Sequence, residues 1–480
     1  MGIVRLTALL ALLIVGLCFV RTSAGQKDAA SGNGPQAGST GQSAEPESAP
    51  DLFEPALNRG RAVIHLPTEA DEVAPGGAGR YLIAHLKAIH SLAIVDLCNA
   101  TVAHVIELPS GESHFAAGLW KLFVASDEKN SITRYDLQTA EKELTVMAPD
   151  GGVQAMAMGC ASVAPVVIAS GKKTFLCDPQ TLRAQPMAWQ RWGAPGSNWP
   201  APSMRVSADG QTIIAWGGGW AGIELVAVDG LDVVDHHEGG SIHASAVPVR
   251  LNWSGSLVFS DRTSVFNRDL TDASIDLDGY AFGALSPDYV LSLRINRRAP
   301  KAADQKPALK IYLAGGHQLI ATLKDLPELS ASVLPPEQRI FYLPAVNLLA
   351  ILGPGNNEFF LRRFSAMEAL DESGIDYLMV TSVPYPVATR GWRYSYSVKT
   401  QSKRGGVSYG LTSGPPGMSI AADGTVRWDV PKDFKRRQAQ VIVSIKDASG
   451  QEIFHTFTIH IYDIPPITPH PPAGLPAKRV

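Results

Sequence analysis

The sequence predicts an all-β chain, a β-propeller of repeated four-stranded blades followed by a smaller β-sandwich, and three observations carry that prediction. A phrase closing on an aspartate recurs as Ile94-Val95-Asp96-Leu97, Arg134-Tyr135-Asp136-Leu137, Leu176-Cys177-Asp178, Ala227-Val228-Asp229 and Asn267-Arg268-Asp269-Leu270. Its aspartates stand 40, 42, 51 and 40 residues apart, close to the roughly 40–45 residues of one four-stranded blade. A second apolar run precedes each phrase in constant order: Leu82-Ile83-Ala84, Leu122-Phe123-Val124, Val166-Val167-Ile168, Ile213-Ile214-Ala215 and Leu257-Val258-Phe259. From Tyr385 onward the period changes to short alternating strands between Gly, Pro and Asp turns, the pattern of a small sandwich.

The N-terminus has Arg5, an apolar stretch from Ala8 to Val20, and a small-residue exit at Thr22-Ser23-Ala24, the layout of a signal peptide over residues 1–24. Thirteen residues span only about 20 Å of helix, short of a hydrocarbon core of roughly 30 Å. A retained anchor is the alternative. Cys18 follows Leu17, where a lipobox has Gly, Ala or Ser, so lipidation is not expected. Residues 25–58 are Gly, Ser, Ala, Gln and Pro in the main, too poor in large apolar groups to offset their ordering entropy. They read as a flexible linker. Residues 464–480 carry six prolines and read as an extended tail. No later segment is long and apolar enough to span a membrane, so the expected location is secreted, periplasmic or at the cell surface.

The 480 residues are 45% hydrophobic and 18% charged, ordinary globular material. A net charge of -3 argues against a dedicated polyanion binder, and export removes nucleic acid as a partner. Three cysteines remain after processing, Cys98, Cys160 and Cys177, an odd number that forbids a complete disulfide set. Cys160 and Cys177 fall two strand spacings apart in one blade, about 9.5 Å, beyond the roughly 7 Å that a disulfide bridges. Buried free thiols are expected.

The propeller is expected over residues 59–370. Blade one runs from Asp71 to Pro109, blade two from His114 to Pro149, blade three from Val153 to Trp189, blade four from Met204 to His236 and blade five from Ala244 to Leu277. Blade six runs from Tyr280 to Leu323 with a long insertion, and blade seven from about Ser332 to Phe364. The turns Ser207-Ala208-Asp209-Gly210, Trp253-Ser254-Gly255 and Ser286-Pro287-Asp288 mark corners between first and second strands. Blade seven has no fourth strand of its own, and Ala62 to Leu66 is an orphan strand ahead of blade one. Giving the orphan to blade seven closes the ring without an open edge. The count is seven; six or eight stay open because blades six and seven lack the aspartate.

Over about residues 60–370 the pattern resembles the WD-repeat-like and quinoprotein-like propellers of exported bacterial proteins. It departs from true WD repeats in lacking full Trp-Asp pairs and Gly-His openings. The aspartates are read as turn residues that hydrogen-bond backbone. A linker at 371–384 leads to the sandwich at 385–463, with strands at Trp392–Thr400, Val407–Thr412, Met418–Ala421, Thr425–Trp428, Gln440–Lys446 and Phe454–Tyr462. Gly414-Pro415-Pro416-Gly417-Met418-Ser419-Ile420, Asp423-Gly424-Thr425-Val426-Arg427-Trp428 and Val443-Ser444-Ile445-Lys446-Asp447 resemble the immunoglobulin-like, cadherin-like domain of bacterial surface proteins. The acidic calcium motifs of cadherins are missing, so calcium-dependent adhesion is not carried over.

In an antiparallel meander the loops between second and third strands share one face with the links between blades. That b–c face should collect Trp189, Trp192, Trp199, Trp216 and Trp220, five of nine tryptophans, and exposed aromatic clusters mark binding surfaces. Packing of the rings onto the blades is the structural alternative. Blade six adds Arg294, Arg297, Arg298, Lys301, Lys306 and Lys310; Arg297 and Arg298 join the tryptophans as ligand-binding candidates. The histidines His85, His90, His114, His236, His237 and His243 fall on the same face, but His236, His237 and His243, beside Glu238, match no metal spacing. No metal or cofactor is expected. Asn99-Ala100-Thr101 and Asn252-Trp253-Ser254 fit the glycosylation sequon. Without a haem signature, phosphate loop, nucleophile elbow or carboxylate pair, the reading is a non-catalytic binding scaffold for a protein or polysaccharide at the cell envelope. Its rival is a propeller hydrolase, lyase or quinone-dependent dehydrogenase using His and Arg on the same face.

Overall fold

A computed structural model of the chain describes residues 54–109, 113–170, 173–187, 203–216, 223–239, 248–260, 263–294, 306–330 and 332–463, all within one compact unit, Pro46–Val480. β1 (Arg61–His65) comes first. The first sheet is β2 (Glu72–Gly76), β3 (Tyr81–Leu86), β4 (Ser91–Asp96) and β5 (Thr101–Glu107). The second is β6 (Ser113–Ala117), β7 (Lys121–Ser126), β8 (Ser131–Asp136) and β9 (Lys142–Met147). The third is β10 (Ala155–Ala157), β11 (Val166–Ser170), β12 (Lys173–Cys177) and β13 (Ala184–Pro186). The fourth is β14 (Ser203–Val206), β15 (Thr212–Trp216), β16 (Ile223–Asp229) and β17 (Asp232–Gly239). The fifth has three strands, β18 (Arg250–Leu251), β19 (Leu257–Ser260) and β20 (Ser264–Asn267). The sixth is β21 (Tyr280–Gly283), β22 (Tyr289–Arg294), β23 (Ala308–Leu313) and β24 (Leu319–Leu323). β25 (Ile340–Leu343), β26 (Leu348–Leu352) and β27 (Glu358–Arg363) form the last with β1 as its fourth strand, in antiparallel register from Arg61 opposite Arg362 to His65 opposite Glu358.

Burial explains why the middle strands read as unbroken apolar runs. Every residue of β4 is buried, because neighbouring sheets cover both of its faces, whereas the outer β5 alternates. Tyr81, Ile83, Leu92 and Ile94 of the first sheet thus share a core with Phe115, Ala117, Leu122 and Val124 of the second. The first strands touch in the order β2, β6, β10, β14, β18, β21, and the turn Pro336–Gln338 ahead of β25 touches both β21 and β2. The ring is closed, and the fold is a β-propeller.

Four of the five repeated aspartates hold turns. Asp96 accepts from the Cys98 amide at 2.8 Å, Asp136 from those of Gln138 and Thr139 at 3.0 Å each, Asp178 from Gln180 at 2.9 Å and Thr181 at 2.8 Å, and Asp269 from Thr271 at 3.0 Å. Two also pair with a cation at the start of the second strand, Arg80 with Asp96 at 3.0 Å and Lys121 with Asp136 at 2.9 Å. The fifth sheet departs from the expected four strands. Asp269, Asp272 and Asp276 accept from the amides of Thr271, Ser274 and Asp278 at 3.0, 2.8 and 2.9 Å, so side chains compete with a strand ladder. Among the described residues, the bridge between Phe266 and Asp272 and the bonds from Asn267 N to Thr271 O and from Ala273 N to Val265 O are what remains of a fourth strand.

On the face opposite the b–c loops, the a–b loops hydrogen-bond to one another. Gly77 donates to Gly118 O, Ala78 to Cys160 O, Leu119 to Ser162 O, Ala161 to Ala208 O, and Ala208 to Trp253 O. Ala78 thereby reaches from the first sheet to the third. A Cβ on Gly79 would stand 2.9 Å from Leu285 of the sixth sheet, and its φ of +96° already favours glycine. Loops from across the ring therefore converge and shut its axis at this end.

After the ring, α1 (Ala366–Glu372) begins at Ser365, whose Oγ accepts from the Glu368 amide at 3.1 Å. β28 (Leu378–Val380) follows within the expected linker. The sandwich comprises β29 (Val387–Thr389), β30 (Arg393–Ser397), β31 (Thr400–Ser402), β32 (Ser408–Ser413), β33 (Ser419–Ile420), β34 (Thr425–Asp429), β35 (Gln438–Lys446) and β36 (Glu452–Tyr462). One sheet has the order β29-β36-β35-β32, with β29 parallel to β36, and the other β30-β34-β33. Between them lie Tyr396, Val426, Trp428, Val441, Val443 and Ile459.

The sandwich sits on the a–b face. Leu119, Trp120 and Val163 pack against its core, and the Trp120 and Tyr385 rings are 5.8 Å apart. β28 splits its side chains, with Leu378 in the sandwich core and Met379 in the layer of the sixth and seventh sheets. There Tyr289 Oη donates to Met367 Sδ at 3.3 Å. At the same a–b corner Asp288 accepts from Ser286 Oγ at 3.1 Å, and burial pushes its carboxyl up from 3.8 to about 6. A carboxyl raised on folding costs stability as pH climbs through that window, with the full cost above it. Asp288→Asn is therefore expected to stabilise the protein by roughly 1–3 kcal/mol at pH 7.5 and by little at pH 4. Urea unfolding at both pH values checks this, and equal effects at the two would contradict it.

Candidate binding face

Strands alternate in direction, so β18, β21 and the turn before β25 all start on the b–c face, and their opening side chains meet there. The Arg250 guanidinium lies over the Tyr280 ring at 3.9 Å, and Arg250 Nη1 donates to Pro248 O at 3.0 Å. Tyr280 Oη donates to Glu337 Oε2 at 2.8 Å. Burial, followed by the Glu337 charge, holds the Tyr280 hydroxyl far above its ordinary value, so it is a fixed donor and not a base near neutrality. Glu337 Oε1 is buried without a hydrogen-bond partner among the described residues, an acceptor poised for a donor group. This relay joins three consecutive sheets. Its residues are 30 and 57 positions apart, so no local motif reports them; the available signal was a large polar residue at the start of a first strand.

Of the tryptophan group, Trp216 ends β15, is 8% exposed, and packs with Ile214, Ile223 and Leu225. The Arg205 guanidinium stands 5.8 Å from its ring. Trp189, Trp192, Trp199, Trp220, Arg297, Arg298 and His243 lie outside the described residues. At the ends of the sixth-sheet insertion, Arg294 and Lys310 both pair with Asp278, Arg294 at 3.3 Å. Those two cations, above all Lys310 through its hydrogen bond, hold the Asp278 carboxyl below its usual range.

His236 and His237 stand on β17, the outer strand of the fourth sheet. His237 Nε2 is 3.0 Å from Asp235 Oδ2, and burial holds His236 below its ordinary value. Among the described residues no three His, Cys, Asp or Glu side chains are grouped to hold a metal. Closer to the axis, His85 Nδ1 is 2.7 Å from Asp71 Oδ1 and its ring lies 6.4 Å from that of Phe115 on β6. Cys98, Cys160 and Cys177 are free, and burial pushes the thiols of Cys160 and Cys177 up to about 12, which makes them inert. Asn252 is buried, with Nδ2 donating to Ser256 Oγ at 2.9 Å. Its amide is thus already engaged.

No family model matches the chain, and no curated protein matches it. Among solved structures it is similar to the β-propeller domain of Cps50 (Swd1) from Myceliophteria thermophila, at 14% identity and a TM-score of 0.41, over 64% of this chain and 100% of that one. It is similar to the WD40 repeats of RRP9 at 10% identity and a TM-score of 0.44, over 65% of this chain and 99% of that one. The corresponding values for U3-55K are 11%, 0.44, 65% and 100%. At such identities and scores the likeness says nothing of what the chain binds. No helix among the described residues is long and apolar enough to cross a membrane.

Proposed function

We propose that this chain is a non-catalytic binding scaffold whose b–c face recognises a protein or polysaccharide at the cell envelope. In this reading the signal peptide exports it, the ring has seven blades, and residues 385–463 form an immunoglobulin-like, cadherin-like domain. The asymmetry of the two faces carries the reading. The a–b face carries loop-to-loop hydrogen bonds and is covered by the sandwich, whereas the Arg250–Tyr280–Glu337 relay lies toward the other. The parallel pairing of β29 with β36 across the edge of a two-sheet sandwich supports the C-terminal assignment.

The test is acrylamide quenching of tryptophan fluorescence, repeated with panels of envelope glycans and peptides. A ligand that shields part of the emission is expected to lose about tenfold or more in affinity with Trp192→Ala or Glu337→Gln, the loss of one buried anchor, and little with Trp120→Ala on the covered face. Equal binding by all three variants would sink the assignment to the b–c face.

A further inference from the structure

We propose that one end of the sandwich is a docking surface for an anionic phospholipid bilayer, formed by the loop Lys432–Arg437 and the adjoining Trp392. The loop joins β34 to β35 and carries Lys432, Lys435, Arg436 and Arg437, all exposed, against one acidic residue, Asp433. It is held in place from beneath. The Phe434 ring stands edge-on to Trp428 with centroids 5.1 Å apart, and Arg390 donates to Phe434 O at 2.7 Å and to Arg436 O at 3.2 Å. Neighbouring carboxylates are already engaged, Asp463 with Arg390 at 2.6 Å and Asp429 with Arg393 at 2.7 and 3.1 Å. The local excess is therefore three positive charges, from four cations and Asp433, in a chain whose net charge is -3.

Trp392 decides the class of partner. It is 41% exposed, and the stem of Lys432 runs beside the preceding Gly391, where a Cβ would meet Lys432 Cγ at 3.0 Å. An indole beside ammonium and guanidinium groups suits the headgroup zone of a bilayer, where the ring takes the apolar boundary and cations meet phosphate. Lysine and arginine stems reach between the two. Four exposed cations beside an exposed indole suit a plane of lipid phosphates better than a single acidic chain, for which the indole adds nothing. This surface lies on the sandwich and is independent of the b–c face.

Flotation of the full chain with phosphatidylcholine vesicles, with and without phosphatidylserine, tests the proposal. The apolar N-terminal segment contributes to both preparations, so the readout is the ratio of anionic to neutral partition and its change between variants. Each cation removed is expected to lower that ratio about fivefold, so K435Q/R436Q/R437Q should lower it roughly a hundredfold, and raised salt should do the same. Trp392→Ala should weaken binding to both vesicle types. R393Q/D429N, which removes a nearby ion pair without changing the net charge, should leave the ratio unchanged and serves as the folding control. An unchanged ratio in the triple variant overturns the proposal. So does full displacement by soluble polyglutamate together with indifference to Trp392→Ala, which would assign the loop to an acidic polymer.

Discussion

Ile64→Asp is expected to open the propeller and lower its stability by about 4 kcal/mol or more, the cost of an unpaired charge in an apolar core. Ile64 is the one buried residue of β1, 3% exposed, and packs with Phe359 and Leu361 of β27. The strand is otherwise held by its backbone ladder to β27, by partial packing of Ala62 on the same core, and by His65 Nδ1 at 3.0 Å from Glu358 Oε1. Val63, its neighbour, is 45% exposed, so Val63→Asp should cost under about 1 kcal/mol. Urea unfolding gives both values. Hydrogen exchange then locates the damage: protection lost first at β27 identifies the closing sheet as the weak point, whereas equal behaviour of the two variants would mean that β1 does not hold the ring.

The second large effect is acid loosening of the sandwich. Burial lowers His455 and His460, both on β36, from 6.5 to about 4. His455 Nε2 lies 3.1 Å from Tyr396 Oη, which also donates to Ser382 O at 3.1 Å. A histidine whose folded value lies below its unfolded one is neutral in the fold, so its contribution is complete above about 6.5 and drains away as pH falls to 4. Each should cost roughly 2–3 kcal/mol across that window. Exchange protection in β35 and β36 is expected to fall between pH 6.5 and 4, and H455Q/H460Q to flatten the fall. A pH-independent sandwich in the wild type would refute the argument. Asp288 acts in the opposite direction over nearly the same range, so the propeller and the sandwich should separate in an acid titration.

Much of the ring could be read from sequence because its signals are local and repeated. An aspartate that caps its own turn leaves a mark in the first, second, third and fifth sheets, and strands covered on both faces leave unbroken apolar runs. The orphan strand was legible by elimination, since the last sheet lacked a fourth member. What failed to show was short or distant. α1 has seven residues, of which only Ala366 and Leu370 are buried, too few for a helical period. β28 and β29 have three residues each. The fifth sheet's missing strand was masked by aspartates that promise turns without saying whether a ladder lies between them. Trp216 shows the limit of sorting loops by face: the residue lies at the edge of the expected rim, yet its ring is in the core. The polar relay depends on two strands and a turn from three consecutive sheets coming together, information that exists only once the ring has closed.

The pairing of β1 with β27 also sets a timetable. The partners are nearly 300 residues apart, so at synthesis rates of about 5–20 residues per second the first strand waits roughly 15–60 s for the last. Throughout that interval the unfinished ring has an unsatisfied edge at both ends, open to pairing with another chain. α1 and β28 emerge directly after β27, so covering of the a–b face can begin as soon as the circle shuts. A nascent chain stalled before Glu358 should be protease-sensitive throughout, and one released past Tyr462 resistant.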